Sequence, residues 1–204
     1  MSKFVESIAL ISGFLILQSF CRFVKFHLRL LCISTMQMTY AALVYILRPQ
    51  FGFSPHLKGF IPFGLIFTFT LLVGRFLGAK ATRIEFRPTA SNLVMIGLLI
   101  PISEELLFRG TLLSLLPSAL INATIFSAVH FLNVISRFES FSLYNLIYRF
   151  AAGYIFADST LSTGSLFSAV VCHILNNMLG ILLPWFEHES KKRRQNSCGE
   201  KHEQ

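Results

Sequence analysis

Apolar runs broken by short polar stretches fill most of the chain. Leu, Ile, Val, Phe and Ala dominate the windows 5–20, 30–47, 59–78, 90–116, 118–135, 141–157 and 161–186. An apolar stretch of about 20 residues is what a helix needs to cross a bilayer. Within the hydrocarbon a helix also satisfies its own backbone hydrogen bonds. The pattern therefore predicts an all-α fold, a multi-pass transmembrane helix bundle of about seven helical segments, with 5–20 the shortest. Residues 187–204 lose the apolar pattern and predict a polar, disordered tail. Gly74 and Gly78, four apart in "GRFLG", mark a candidate close helix contact. There is no internal repeat, and no small-residue cleavage site follows the first apolar run.

Composition agrees with this pattern. Of the 204 residues 53% are hydrophobic, 22 are Phe and only 14% are charged, too apolar for an ordinary soluble domain. The net charge of +8 could point to nucleic acid. Most of the basic residues lie between apolar windows, however, so topology and lipid headgroups account for them and no nucleic-acid partner is predicted. Arg22, Lys25, Arg29, Arg75, Lys80, Arg83, Arg87, Arg137 and the run Lys191–Arg194 fall on one side of a seven-span bundle. Lys3, Arg48 and Lys58 fall on the other. The positive-inside rule then places the C-terminus in the cytoplasm. Cys21, Cys32, Cys172 and Cys198 form no CxxC and have no zinc-ligand spacing, so neither a disulfide framework nor a cysteine zinc site is predicted.

Against this background the polar residues inside the spans stand out. "PISEELLFRG" places Glu104, Glu105 and Arg109 in the fourth window, "FSAVH" places Phe126 and His130 in the fifth, and "HILNN" places His173 and Asn177 in the seventh. Ionisable groups at membrane depth are expensive and mark function or a paired network. Glu104, His130 and His173 each lie 12 residues from the non-cytoplasmic end of their segments, about 18 Å in at the helical rise, so the three can meet. Glu105 and Arg109, four apart, share a helix face, and Glu104 points about 100° away. Arg109 is thus free to neutralise Glu105 and leave Glu104 facing the histidines. Phe126 is predicted to pack behind His130. Asn177 shares a face with His173, either as an interhelical hydrogen bond or as an amide donor to a reacting carbonyl. Asn176 points elsewhere and is assigned to structure.

In order along the chain, "EELLFR", "FSAVH" and "HILNN" fit EExxxR, FxxxH and HxxxN. This set resembles the CPBP family: type II CAAX prenyl endopeptidases and similar bacterial proteins, including bacteriocin-processing and self-immunity relatives. The resemblance covers roughly 92–180 and divides the chain into N-terminal transmembrane helices (1–90), a CPBP-like intramembrane protease core (91–186) and the tail (187–204). It implies peptide-bond hydrolysis in the membrane, with Glu104, His130, His173 and Asn177 as catalytic residues and Glu105, Arg109 and Phe126 in support. A carboxylate withdrawn from water is a strong base. Glu104 with His130 would activate a water, and His173 with Asn177 would donate to the oxyanion. No cofactor is required. Zinc is left open, with Glu104, His130 and His173 as the ligand set if a metal binds. The expected partners are the bilayer and a peptide or protein substrate at the membrane, lipidated chains among them. The alternative is a non-proteolytic immunity or partner-binding protein on the same scaffold.

The predicted topology is open to direct test. Reporter fusions after residue 190 are expected to read as cytoplasmic and fusions near residue 159 as external; the reverse pattern would overturn the orientation.

Overall fold

The computed structural model describes residues 2–77, 88–135 and 141–199. Gly78, Lys80, Arg83, Arg87 and Arg137, singled out above, lie outside the described residues, as do 200–204. Seven helices account for most of the described chain: α1 (Lys3–Phe20), α2 (Phe26–Leu47), α3 (Phe60–Leu77), α4 (Ala90–Leu115), α5 (Ala119–Ile135), α6 (Leu143–Thr163) and α7 (Phe167–Gly199). Several starts follow capping chemistry. The hydroxyls of Ser2, Thr89 and Ser142 accept from the backbone N–H three residues on, at α1, α4 and α6. Gly164, at φ 69°, ends α6 in the left-handed conformation that glycine adopts without strain.

The fold is the all-α, multi-pass bundle that the apolar pattern predicts. Five helices, α1 to α4 and α7, are long and apolar enough to cross a membrane, while the apolar part of α5 is shorter, Ala119–Phe131. Helix α3 shows why the solvent around the bundle is lipid. Ile61, Leu65, Phe69, Leu72 and Phe76 recur at helical spacing on one face, each at least 64% exposed. On the opposite face Phe63, Phe67, Thr70 and Gly74 are buried. In water the first face would be polar. Helix α4 is the central element: 56% of its apolar window is buried, against 17–22% in α1 to α3. It packs against α1, α2, α5, α6 and α7. One apolar core joins Phe14 of α1, Ala41 of α2 and Leu106, Leu107, Phe108 and Leu112 of α4 to Phe126 of α5. A second joins α3, α6 and α7 through Phe63, Phe67, Phe156 and Ala169.

Two boundaries differ from the sequence reading. The sixth helix, predicted to end at 157, runs to Thr163, and the seventh starts at Phe167 rather than 161. His173 is therefore only about 9 Å into its helix, not at the common depth counted above. The turn itself is drawn inward. Ser165 and Leu166 are fully buried. Gly52 N–H donates to the Gly164 carbonyl at 3.0 Å, Leu166 N–H donates to the Gly52 carbonyl at 2.8 Å, and Ser165 Oγ donates to the Ser54 carbonyl at 2.5 Å. The α2–α3 connection thus covers the α6–α7 turn, and His173 needs less helix to reach the interior. Helix α7 also continues through 187–199, where the sequence predicts disorder. Glu187 and Glu189 each precede a basic residue by four positions, Lys191 and Arg193, a spacing that supports helix.

Close packing of α2 on α4 rests on Gly110. A Cβ there would lie 2.7 Å from Cδ2 of Tyr45, and the Tyr45 hydroxyl is already committed to the Phe51 carbonyl, so the ring has little freedom to yield. A Cβ at Gly64, on α3, would meet nothing within 4 Å. In detergent unfolding experiments Gly64→Ala is expected to leave the Tm unchanged or raise it, by the helix-propensity gain of up to about 1 kcal/mol. Gly110→Ala is expected to lower it, with an overpacking cost of about 1–3 kcal/mol. Equal shifts would contradict this packing.

Candidate active site

The site is built on an irregular helix. Pro101 lacks an N–H and its ring opposes the carbonyl four residues back. The backbone widens into a π-helical stretch at Met95–Leu99 just before it, and into a second at Leu106–Leu112. Such wide turns free carbonyls from the regular ladder and occur often at functional sites. Helix α5 binds to α4 through a carbonyl of the second stretch: the buried Asn122 donates from Nδ2 to the Phe108 carbonyl at 2.7 Å, which also accepts from the Leu113 N–H.

Glu104 and Glu105 occupy the regular turn between the two stretches, and Arg109 sits in the second. Glu105 and Arg109 are both completely buried. Arg109 Nη1 donates to Glu105 Oε1 at 3.1 Å, and Nη2 donates to the Gly153 carbonyl of α6, also at 3.1 Å. The guanidinium lies 4.2 Å above the Phe126 ring, a cation–π contact. Glycine at 153 makes room for this approach: a Cβ there would be 3.1 Å from both Arg109 Nη2 and Phe126 Cδ1, which would have to give by a few tenths of an ångström. The pairing of Glu105 with Arg109 is the one that helical spacing predicts. Its third partner is not: His173 Nδ1 of α7 lies 2.7 Å from the same Glu105 Oε1.

Glu104 turns to the other side, toward both histidines. Its Oε2 lies 3.7 Å from His130 Nε2 and 3.6 Å from His173 Nε2. These separations are beyond direct hydrogen bonding. The tautomers follow from the partners at the opposite ring nitrogen. His130 Nδ1 lies 2.8 Å from the Phe126 carbonyl, which only accepts, so Nδ1 carries hydrogen. His173 Nδ1 does the same toward the Glu105 carboxylate. Both Nε2 atoms are thereby left facing Glu104. Phe126 forms the wall, its ring centroid 4.5 Å from that of His130 and 5.9 Å from that of His173. It is the packing residue that the sequence predicts and also the platform beneath Arg109.

Asn177 meets α4 at a different level. Its Nδ2 donates to the Ile96 carbonyl in the first π-helical stretch at 3.0 Å, two helical turns before Glu104. A relay leads to it from α6: Tyr148 O–H donates to Asn176 Oδ1 at 2.6 Å, and Asn176 Nδ2 donates to Asn177 Oδ1 at 3.2 Å. Asn176 and Tyr148 thus belong to the polar network although Asn176 is off the His173 face. No spacing rule links 148 to 176. The sequence signal is a tyrosine hydroxyl on a buried helix face, which needs a partner when buried.

The atoms nearest to forming a metal site are Glu104 Oε2 and the two Nε2 atoms, with both Nδ1 positions already held as in metal-bound imidazoles. A zinc ion would need all three within about 2.0–2.2 Å of one point. Among the described residues no group of three or more His, Cys, Asp or Glu is spaced to hold a metal ion.

Residues 86–179 match the model of the family described as type II CAAX prenyl endopeptidase Rce1-like. The match begins just before α4 and ends inside α7, so it spans every residue of the site described above. No curated protein and no solved structure matches the chain.

The two adjacent glutamates are expected to differ in what they hold. Glu105→Ala leaves Arg109 buried without its carboxylate and His173 without its Nδ1 acceptor, a loss of about 3–5 kcal/mol by comparison with other broken buried pairs. Glu104→Ala removes a carboxylate with no direct hydrogen bond to either histidine, and is expected to retain or raise stability. Thermal unfolding of the two variants in detergent tests this; equal losses would contradict the division.

Proposed function

We propose that this Rce1-like chain is an intramembrane endopeptidase that hydrolyses a peptide bond of a membrane-associated or lipidated substrate. The observation that carries the reading is the convergence of Glu104 Oε2 with the Nε2 atoms of His130 and His173 inside an apolar bundle. A water seated among these three atoms can give one proton to Glu104 and direct the other at His130. Its oxygen then attacks the scissile carbonyl. Glu105 fixes the ring of His173 and balances its positive charge when Nε2 is protonated, much as a carboxylate supports the imidazole of a catalytic triad. In that form His173 donates to the oxyanion. Asn177, whose amide has a second hydrogen beyond the one given to Ile96, adds a further donor. When the tetrahedral intermediate collapses, the proton held by Glu104 passes to the leaving amine. The second water proton passes to His130 and on to solvent as the new acid ionises, so the products are a carboxylate and an amine, and no metal enters the steps.

The same reading places the C-terminus in the cytoplasm. Helices α5 and α6 form an antiparallel pair, so their crossing the bilayer or returning within it does not change the side on which α7 begins. The basic residues at 22, 25, 29, 75 and 191–194 then share the C-terminal side.

The test compares membranes containing wild-type chain, Glu104→Gln and Asn177→Ala by mass spectrometry of their cleavage products. Glu104→Gln keeps the shape and removes the ionisable group, so products are expected to disappear while the protein stays folded. Asn177→Ala is expected to keep about 10⁻²–10⁻³ of the rate, the usual cost of one oxyanion donor. Full cleavage by Glu104→Gln would rule out this base. No product from the wild type would favour the partner-binding alternative. Activity lost on metal removal and restored by zinc would turn Glu104, His130 and His173 into ligands.

A further inference from the structure

Three sulfur atoms meet at the corner where α1 turns into α2, apart from the residues that carry the peptidase reading. Cys21 Sγ and Cys32 Sγ are 2.8 Å apart, and Met36 Sδ lies 3.6 Å from each. Both cysteines are free thiols. The convergence follows from the chain. Cys32 and Met36 are four apart and share a face of α2, while the short turn Cys21–Phe23 closes α1 directly over them. Cys21 is fully buried and Cys32 half-buried, so the cluster is shielded but reachable from the Cys32 side.

We infer that Cys21, Cys32 and Met36 form a binding site for a soft monovalent cation of the Cu(I) type. The donor set selects the ion. Thiolate and thioether sulfur favour soft metals, and a thioether contributes little to hard ones. Structural zinc takes four ligands, but only three donors converge here. No Asp or Glu occurs between Glu6 and Glu85, and the nearest histidine in sequence, His27, is exposed. The geometry needs a small adjustment. Trigonal bonds of about 2.3 Å hold sulfurs about 4.0 Å apart. Met36 is already near that distance, and the two thiols separate by about an ångström through side-chain rotation. Charge is also suited. Binding one monovalent cation releases two protons from the thiols and leaves a centre of net charge −1. Arg22 adjoins Cys21, Lys25 lies in the same corner, and Arg29 precedes Cys32 by three positions, with its Nη2 donating to the Arg22 carbonyl at 3.2 Å.

The test titrates the full-length reduced protein in detergent, without oxygen, with Cu(I) supplied as its acetonitrile complex against a chromophoric Cu(I) chelator. One equivalent is expected to bind, with only sulfur neighbours at about 2.3 Å in X-ray absorption. Cys21→Ser and Cys32→Ser are each expected to weaken binding at least 100-fold and Met36→Leu about 10-fold, while excess Zn(II) does not compete. Bound Cu(I) should also protect Cys32, the reachable thiol, of the wild-type protein from maleimide, a readout independent of how the variants fold. Absence of stoichiometric binding, unaltered binding in either serine variant or in Met36→Leu, displacement by Zn(II), or failure to protect Cys32 would each overturn the assignment.

Discussion

One carboxylate oxygen, Glu105 Oε1, holds three helices in register. It accepts from Arg109 of its own helix and from His173 of α7, and Arg109 in turn reaches the Gly153 carbonyl of α6. In an apolar bundle a charge without partners is too costly to keep. The pair therefore constrains everything around it: α6 must present a carbonyl to Arg109, where glycine leaves the closest fit, and α7 must place His173 at hydrogen-bonding distance. Phe126 fills the remaining side by offering its ring face to the guanidinium. With Glu105 Oε1 held at His173 Nδ1, the orientation of the His173 ring is fixed, while Glu105 Oε2 and Arg109 Nε stay buried without a hydrogen-bond partner among the described residues.

Glu104 has its position because Glu105 has another task. The two are adjacent on a helix and cannot face the same way. With Glu105 turned into the ion pair, Glu104 is turned toward the two Nε2 atoms. The structural and the chemical carboxylate of the proposed mechanism are thus separated by the pitch of the helix alone. The irregular backbone of α4 extends the arrangement. The Ile96 and Phe108 carbonyls in its π-helical stretches accept from Asn177 and Asn122, which attach α7 and α5 to the same helix.

The region that matches the Rce1-like family coincides with this machinery, from just before α4 into α7. Helices α1 to α3 serve a different purpose. They turn apolar faces outward and cover the core on the sides that α5 to α7 leave open, with α1 and α2 against α4 and α3 against α6 and α7. Their sequence needs only to be apolar and to pack, which fits a family match that begins only at residue 86.

The sequence by itself determined the helical bundle, because length and hydropathy decide whether a segment can lie in lipid. It also determined the Glu105–Arg109 pair and the opposite aim of Glu104, because both follow from helical spacing within one element. Depth counting along separate helices was less secure. It anticipated that Glu104, His130 and His173 meet but misplaced the start of α7, since a turn buried under the Gly52–Ser54 segment looks no different in sequence from one at the surface. Only the tertiary structure decided that Glu105 also holds His173, that the Gly153 carbonyl serves Arg109, and that Tyr148 reaches Asn177 through Asn176. These contacts join residues 28 to 68 positions apart, and no periodicity within a helix records which residue of another helix will lie opposite.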